Sequence, residues 1–107
     1  MVDELIIEPR EVHDMMQKGV KFLLLDCREA GEHQTAHIKG DTLIPMRLIP
    51  QKLVDIPKDQ PVVVYCHAGV RSFDTANWLS QQGVNAVSLS GGIDRWSAEI
   101  DPKVPRY

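Results

Sequence analysis

The stretch Pro61-Val62-Val63-Val64-Tyr65-Cys66-His67-Ala68-Gly69-Val70-Arg71-Ser72 decides the reading of this chain. Its first half is β-branched and aromatic, a composition that suits a strand packed on a pleated surface. No polar residue alternates with the valines, so both faces of the strand are expected to be buried, as in a sheet covered by helices on two sides. The second half changes period. Phe73, Ala76, Trp78 and Leu79 fall at helical spacing within Ser72–Gln82, and Gly83 marks the stop. A cysteine therefore ends a buried strand, and a helix opens about five residues later.

That junction carries chemistry. A helix start presents unpaired N–H groups and the positive end of a dipole. A loop curled over it turns several N–H groups inward as a nest for an anion. A thiolate placed there is stabilised, and its pKa falls below the free value of about 8.5. Gly69 permits backbone angles closed to other residues, and Arg71 adds a permanent positive charge. The pattern fits Cys66 as a nucleophile. His67, Ala68, Gly69, Val70 and Arg71 form the loop that holds an anionic substrate, and Ser72 supports it. The competing reading is a small core cysteine at a strand end, with Arg71 paired to an acid on an exposed helix face.

Working outward, Phe22-Leu23-Leu24-Leu25 is a second all-apolar run, followed by Asp26-Cys27-Arg28. Leu5–Ile7, Thr42–Ile44 and Ala86–Leu89 read as further strands. Pro9 suits the first position of a helix running to Gln17. Glu29–Gln34 reads as a short helix or turn, and Leu48–Val54 as a short helix. Gly91-Gly92 is a tight turn opening a last helix to Glu99, and Asp101–Tyr107 is an irregular tail. Alternating strands and helices predict an α/β fold with a central, mainly parallel sheet and helices on both faces. In such sheets ligands bind beyond the carboxyl ends of the strands. That rule selects the same two segments, Asp26–Arg28 and Cys66–Arg71.

Composition narrows the partners. A chain of 107 residues fits one domain, residues 1–107. Twelve basic against fifteen acidic residues leave a net charge of −3, which argues against nucleic acid and an anionic membrane surface as partners. No apolar run approaches the roughly 18 residues of a membrane span, and Met1–Arg10 shows no secretory pattern, so a cytoplasmic location is expected. Cys27 and Cys66, the only cysteines, make neither a disulfide framework nor a zinc-ligand set.

Several separated motifs together resemble the rhodanese family of sulfurtransferases. Cys66–Arg71 resembles its six-residue active-site loop, and Leu25-Asp26-Cys27-Arg28 its Asp-x-Arg segment. Glu32–Asp41 is similar to the stretch Glu-aromatic-x-x-Gly-His-Ile-Pro-Gly-Ala, departing from it at His33, Ala36, Lys39 and Asp41. Leu89-Ser90-Gly91-Gly92 followed by Trp96 resembles the closing Gly-Gly-x-x-x-Trp element. The resemblance implies a small three-layer α/β domain and sulfane-sulfur transfer through a Cys66 persulfide. It implies a small anionic donor such as thiosulfate, a cyanide or thiol acceptor, and no metal or organic cofactor. Cysteine-dependent phosphatases use a similar loop that is one residue longer, matching a wider phosphoryl group.

The other residues divide as follows. Asp26 reads as structural, and Arg28 as either scaffold or a substrate contact. Arg71 reads as an anion ligand. The His67 ring is expected to face solvent, leaving its backbone N–H as the useful group. Cys27 reads as an inert, partly buried thiol, against the alternatives of a resolving or sulfur-carrying cysteine. His37 and Ile38 read as positioning residues, and Trp78 and Trp96 as core. Two rival functions remain at this level: a persulfide carrier in a protein sulfur relay, and a non-catalytic interaction module.

Overall fold

The computed structural model describes residues 5–107. Its elements run β1 (Ile6–Ile7), α1 (Pro9–Gln17), β2 (Leu23–Asp26), α2 (Ala30–Thr35), β3 (Thr42–Leu43), α3 (Ile49–Lys52), β4 (Val62–Tyr65), α4 (Val70–Gln81), β5 (Ala86–Leu89) and α5 (Gly92–Glu99). The five strands form one sheet in the order β1-β5-β4-β2-β3, and every pairing is parallel. This is the α/β architecture that the alternating pattern requires.

The two all-apolar runs lie side by side at the centre, with Leu24 opposite Val63 and Leu25 opposite Val64. Alternate residues feed different cores. Leu24, Val63 and Tyr65 join Val12 of α1 and Ile93 and Trp96 of α5. Leu25, Val62 and Val64 join Ile49 of α3 and Ala76 and Leu79 of α4. A strand with helices on both sides has no solvent face, which is why neither run alternates with polar residues. Each wholly buried aliphatic side chain here contributes roughly 1.5–3 kcal/mol relative to an exposed one. The parallel order also brings the carboxyl ends of β2 and β4 together at one edge of the sheet.

Several boundaries differ from the sequence reading. Helix α4 starts at Val70, two residues early, so Val70 and Arg71 form its first turn and not the loop. Gly69 is the residue that precedes the helix, at φ +107°, an angle that no residue with a Cβ adopts without strain. The expected Leu48–Val54 helix is a single α-turn, α3, between 3₁₀ turns at Met46–Leu48 and Leu53–Asp55. The two edge strands are a residue shorter than expected, although the Ile44 N–H still donates to the Asp26 carbonyl at 2.9 Å. The tail is irregular but docked: Val104 is buried in the core beside α5, and the Ser97 hydroxyl donates to its carbonyl. No helix among the described residues is long and apolar enough to cross a membrane.

Candidate active site

Strand β4 delivers Cys66 to the sheet edge with only 1% of its surface exposed. The chain then turns back through His67-Ala68-Gly69 into α4. In that turn the Gly69 N–H points at Cys66 Sγ from 3.1 Å, and the Ser72 N–H, in the first turn of α4, from 3.3 Å. Ser72 Oγ lies 3.3 Å from the same sulfur and 2.7 Å from Ser88 Oγ on β5. With the sulfur ionised, Ser88 donates to Ser72 and Ser72 donates to Sγ.

The carbonyl side of the loop is held by α5. The Ile93 N–H donates to the Cys66 carbonyl at 2.9 Å and the Asp94 N–H to the His67 carbonyl at 3.1 Å. This contact requires Gly92: a Cβ there would stand 2.6 Å from the Cys66 carbonyl oxygen and collide with that of His67. Loop N–H groups thus face the sulfur while loop carbonyls face the start of a helix. The Gly91-Gly92 turn does more than end β5; it locks the loop.

The Cys66 thiol is held down to about 4, chiefly by the Cys27 thiol donating towards it. Burial opposes that effect, and the Ser72 hydroxyl and the Ser72 and Gly69 N–H groups add to it. Cys27 itself is pushed well up, first by its hydrogen bond to Cys66 and then by burial. At neutral pH the pair is therefore one thiolate and one thiol. A buried thiolate ringed by N–H and O–H donors has the chemistry that nucleophilic attack on an electrophilic sulfur or a comparable soft centre requires.

Asp26 and Arg28 are scaffold. Both are fully buried. Asp26 Oδ1 accepts from the Arg28 N–H at 3.0 Å and from Nε at 2.9 Å, and Oδ2 accepts from Nη2 at 2.9 Å. Arg28 also donates to the Ala36 carbonyl and to the Tyr107 hydroxyl, both at 2.6 Å. Burial raises the Asp26 carboxyl, but the hydrogen bonds from Arg28 outweigh it and hold the group ionised. With no exposed surface, Arg28 is not a substrate contact in this conformation.

Arg71 has a partner of its own. Its two terminal nitrogens donate to the two oxygens of Glu32 at 2.9 Å each, and that fork holds Glu32 down to about 2. The Tyr107 hydroxyl donates to Glu32 at 3.0 Å, linking this pair to Arg28. The Tyr107 ring meets the His67 ring edge-on at 4.4 Å. His67 is therefore half-buried, with Nδ1 enclosed and lacking a partner among the described residues, where the sequence reading had it facing solvent. Ala68 and Val70 do no chemistry with their side chains, and Val70 is 74% exposed. Ile38 positions the region as expected, its N–H donating to the Tyr65 hydroxyl at 3.1 Å.

Sequence reasoning missed Ser88, Gly92 and Tyr107 as parts of the site and used Glu32 only as a motif position. Nothing in the tail marked Tyr107. The glycine pair at the start of a helix is the one visible signal, and the sequence gives it as a tight turn and a family motif without linking it to the loop carbonyls. His37, read from the sequence as a positioning residue, stacks on His33 at 4.2 Å with 16° between the rings. With Asp41 these histidines bring possible metal-ligand atoms within 4.8 Å of one another. Near-parallel rings send their in-plane lone pairs side by side, which does not suit the converging ligands of a tetrahedral metal site.

Comparison with known proteins agrees with this geometry. The Rhodanese-like domain family matches residues 8–99. A protein named "Sulfurtransferase" from Allochromatium vinosum is 42% identical over 98 residues, covering 91% of this chain and 90% of that protein. The probable adenylyltransferase/sulfurtransferase MoeZ of Mycobacterium tuberculosis is 38% identical over 104 residues, covering 94% of this chain and 26% of MoeZ. This chain thus spans about a quarter of the length of that larger relative. A rhodanese-related protein from Thermoplasma volcanium superposes with a TM-score of 0.82 at 29% identity, covering 94% of this chain and 97% of that one. The chain belongs to the rhodanese-like domain family.

Proposed function

We propose that this protein transfers sulfane sulfur through a persulfide on Cys66. The observation that carries the reading is the Cys66 sulfur itself, buried yet faced by the N–H groups of Gly69 and Ser72 and by the Ser72 hydroxyl. Such a cradle stabilises negative charge first on the thiolate and then on the terminal sulfur of the persulfide. In the first half-reaction the Cys66 thiolate attacks the outer sulfur of the donor. With thiosulfate the sulfur–sulfur bond of the donor breaks and sulfite leaves with the electron pair. In the second, cyanide or a thiolate attacks the outer sulfur and the Cys66 thiolate is the leaving group. Its low basicity makes it a good one. Two half-reactions that share one covalent intermediate give ping-pong kinetics.

One observation favours a relay over a thiosulfate enzyme. Arg71, the one permanent cation in the loop sequence, is forked onto Glu32. A dianionic donor must compete with that carboxylate, whereas a persulfide offered by a partner protein needs no free cation. Homology with a segment of a much longer sulfurtransferase fits the same reading.

The test is an intact mass after exposure to thiosulfate, to inorganic polysulfide or to a protein-bound persulfide. Wild-type protein is expected to gain about 32 Da, removable by cyanide, and Cys66→Ser to gain nothing. Sulfur taken from a protein-bound persulfide far faster than from thiosulfate selects the relay reading. Equal uptake by Cys66→Ser overturns both.

A further inference from the structure

Cys27 takes no part in either half-reaction, yet the sheet seats it beside Cys66. The Tyr65 carbonyl accepts the Cys27 N–H at 3.1 Å, which carries the β2–β4 ladder one residue past the Asp26–Tyr65 pair. The next pair in that register is Cys27 with Cys66. Leu25, Cys27, Val64 and Cys66 all face the same core, so the two thiols project to one side. Neighbouring strands lie roughly 4.8 Å apart, within the Cα separation of about 4.4–6.8 Å that a disulfide spans.

The two sulfurs of a Cys66 persulfide have different surroundings. The outer one carries the charge that the loop donors stabilise and is the atom an acceptor attacks. The inner one is Cys66 Sγ, on the residue next in register to Cys27 across the β2–β4 ladder and facing the same core. While Cys66 is a thiolate, it holds the Cys27 proton in place. Once sulfurated, Sγ is a neutral divalent sulfur, the negative charge moves to the outer atom, and that hold relaxes. Attack on Sγ then expels hydrosulfide, a weakly basic leaving group.

We propose that Cys27 is the resolving cysteine of the Cys66 persulfide, closing a Cys27–Cys66 disulfide and releasing sulfide. The inference rests on the persulfide reading above. The bond that forms joins Cys27 Sγ to Cys66 Sγ; the bond that breaks joins Cys66 Sγ to the outer sulfur. The outer sulfur is reduced to hydrosulfide, the two cysteines are oxidised to the disulfide, and the Cys27 proton leaves with the sulfide. A dithiol reductant restores both thiols. Its route is the open cleft lined by Cys27, Glu29, Met46, Arg47, Pro50 and Arg71. Stored sulfur that meets no acceptor is thereby discharged as sulfide.

The experiment loads the full chain with inorganic polysulfide, removes the excess by anaerobic desalting without thiols, and follows mass and free sulfide over time. In wild type the gain of about 32 Da should give way to a species about 2 Da lighter than the reduced chain. Stoichiometric sulfide and a linked Cys27–Cys66 peptide should accompany it. Cys27→Ser and Cys27→Ala should still acquire the sulfur and keep it at least about tenfold longer, without sulfide. Protein never exposed to polysulfide, handled alike, should retain two free thiols. A wild-type adduct that lasts as long as that of Cys27→Ala overturns the resolving role alone. No adduct on wild type or either variant overturns the persulfide reading and this one with it. The linked peptide is sought in wild type, so the test stands even where one substitution impairs folding.

Discussion

Cys27 and Cys66 end neighbouring parallel strands, face one core and are equally buried at 1% exposure, yet one is held as a thiol and the other as a thiolate. Burial cannot be the difference, because it acts on both in the same direction. The hydrogen bond between them is shared, so the residues that follow each cysteine choose which sulfur ionises. After Cys66 the chain reverses at Gly69, and the Gly69 and Ser72 N–H groups return to the sulfur. After Cys27 the next N–H, that of Arg28, is taken by Asp26 Oδ1, and the backbone runs on into α2. The comparison teaches that where a loop sends its donors decides which of two buried sulfurs is the thiolate. The β2 corner spends its polar groups on scaffold, and the β4 corner spends them on sulfur.

Breaking the first corner should therefore cost stability. Arg28→Met leaves the Asp26 carboxylate buried without its partner, and denaturant unfolding should show a loss of roughly 3–5 kcal/mol. A loss under 1 kcal/mol, on the order of an exposed ion pair, would mean that water reaches Asp26 and that the corner is not scaffold. A smaller effect is expected from removing the link between the corners. The wild-type Cys66 thiolate is present above its pKa of about 4 and is lost as pH falls through that value. Cys27→Ala removes the strongest influence holding it down, so the thiolate should disappear at a pH higher by about one unit or more. Thiolate ultraviolet absorbance against pH measures this directly; superimposed curves would show that the loop alone sets the ionisation.

The smallest effect concerns the rim. Glu32→Gln breaks the fork on Arg71 and frees a cation beside the loop. The thiosulfate KM should fall a few-fold, about 0.5–1 kcal/mol, as expected for a half-exposed pair. An unchanged KM would place the donor out of reach of Arg71.

Much of this was legible in the sequence, for local reasons. The unbroken Val62–Val64 and Leu23–Leu25 runs announce strands buried on both faces, and that condition admits few architectures. Helix α1 and strand β5 have the limits that Pro9, Gln17, Ala86 and Leu89 imply. The start of α4 was misread because Val70 is β-branched and 74% exposed, so it carries no amphipathic signal; the backbone angle at Gly69 sets the boundary. The Cys66 cradle was legible because every group that faces its sulfur, apart from Cys27 and Ser88, lies within six residues of it. The rim was not. Glu32, Tyr107 and Arg71 meet through tertiary packing across dozens of residues, and no local pattern encodes such a meeting.

The hydrogen bonds from Ile93 and Asp94 to the loop carbonyls have a dynamic consequence. Surface loops open at little free-energy cost, whereas helices packed on a core open only in larger cooperative units. The turn through His67 and Ala68 is fastened to the first turn of α5, whose Ile93 and Trp96 lie buried in the core. Opening the cradle thus means undoing the start of that helix. The cradle's backbone therefore rearranges on the timescale of a helix detaching, which is far longer than the flicker of an unfastened loop.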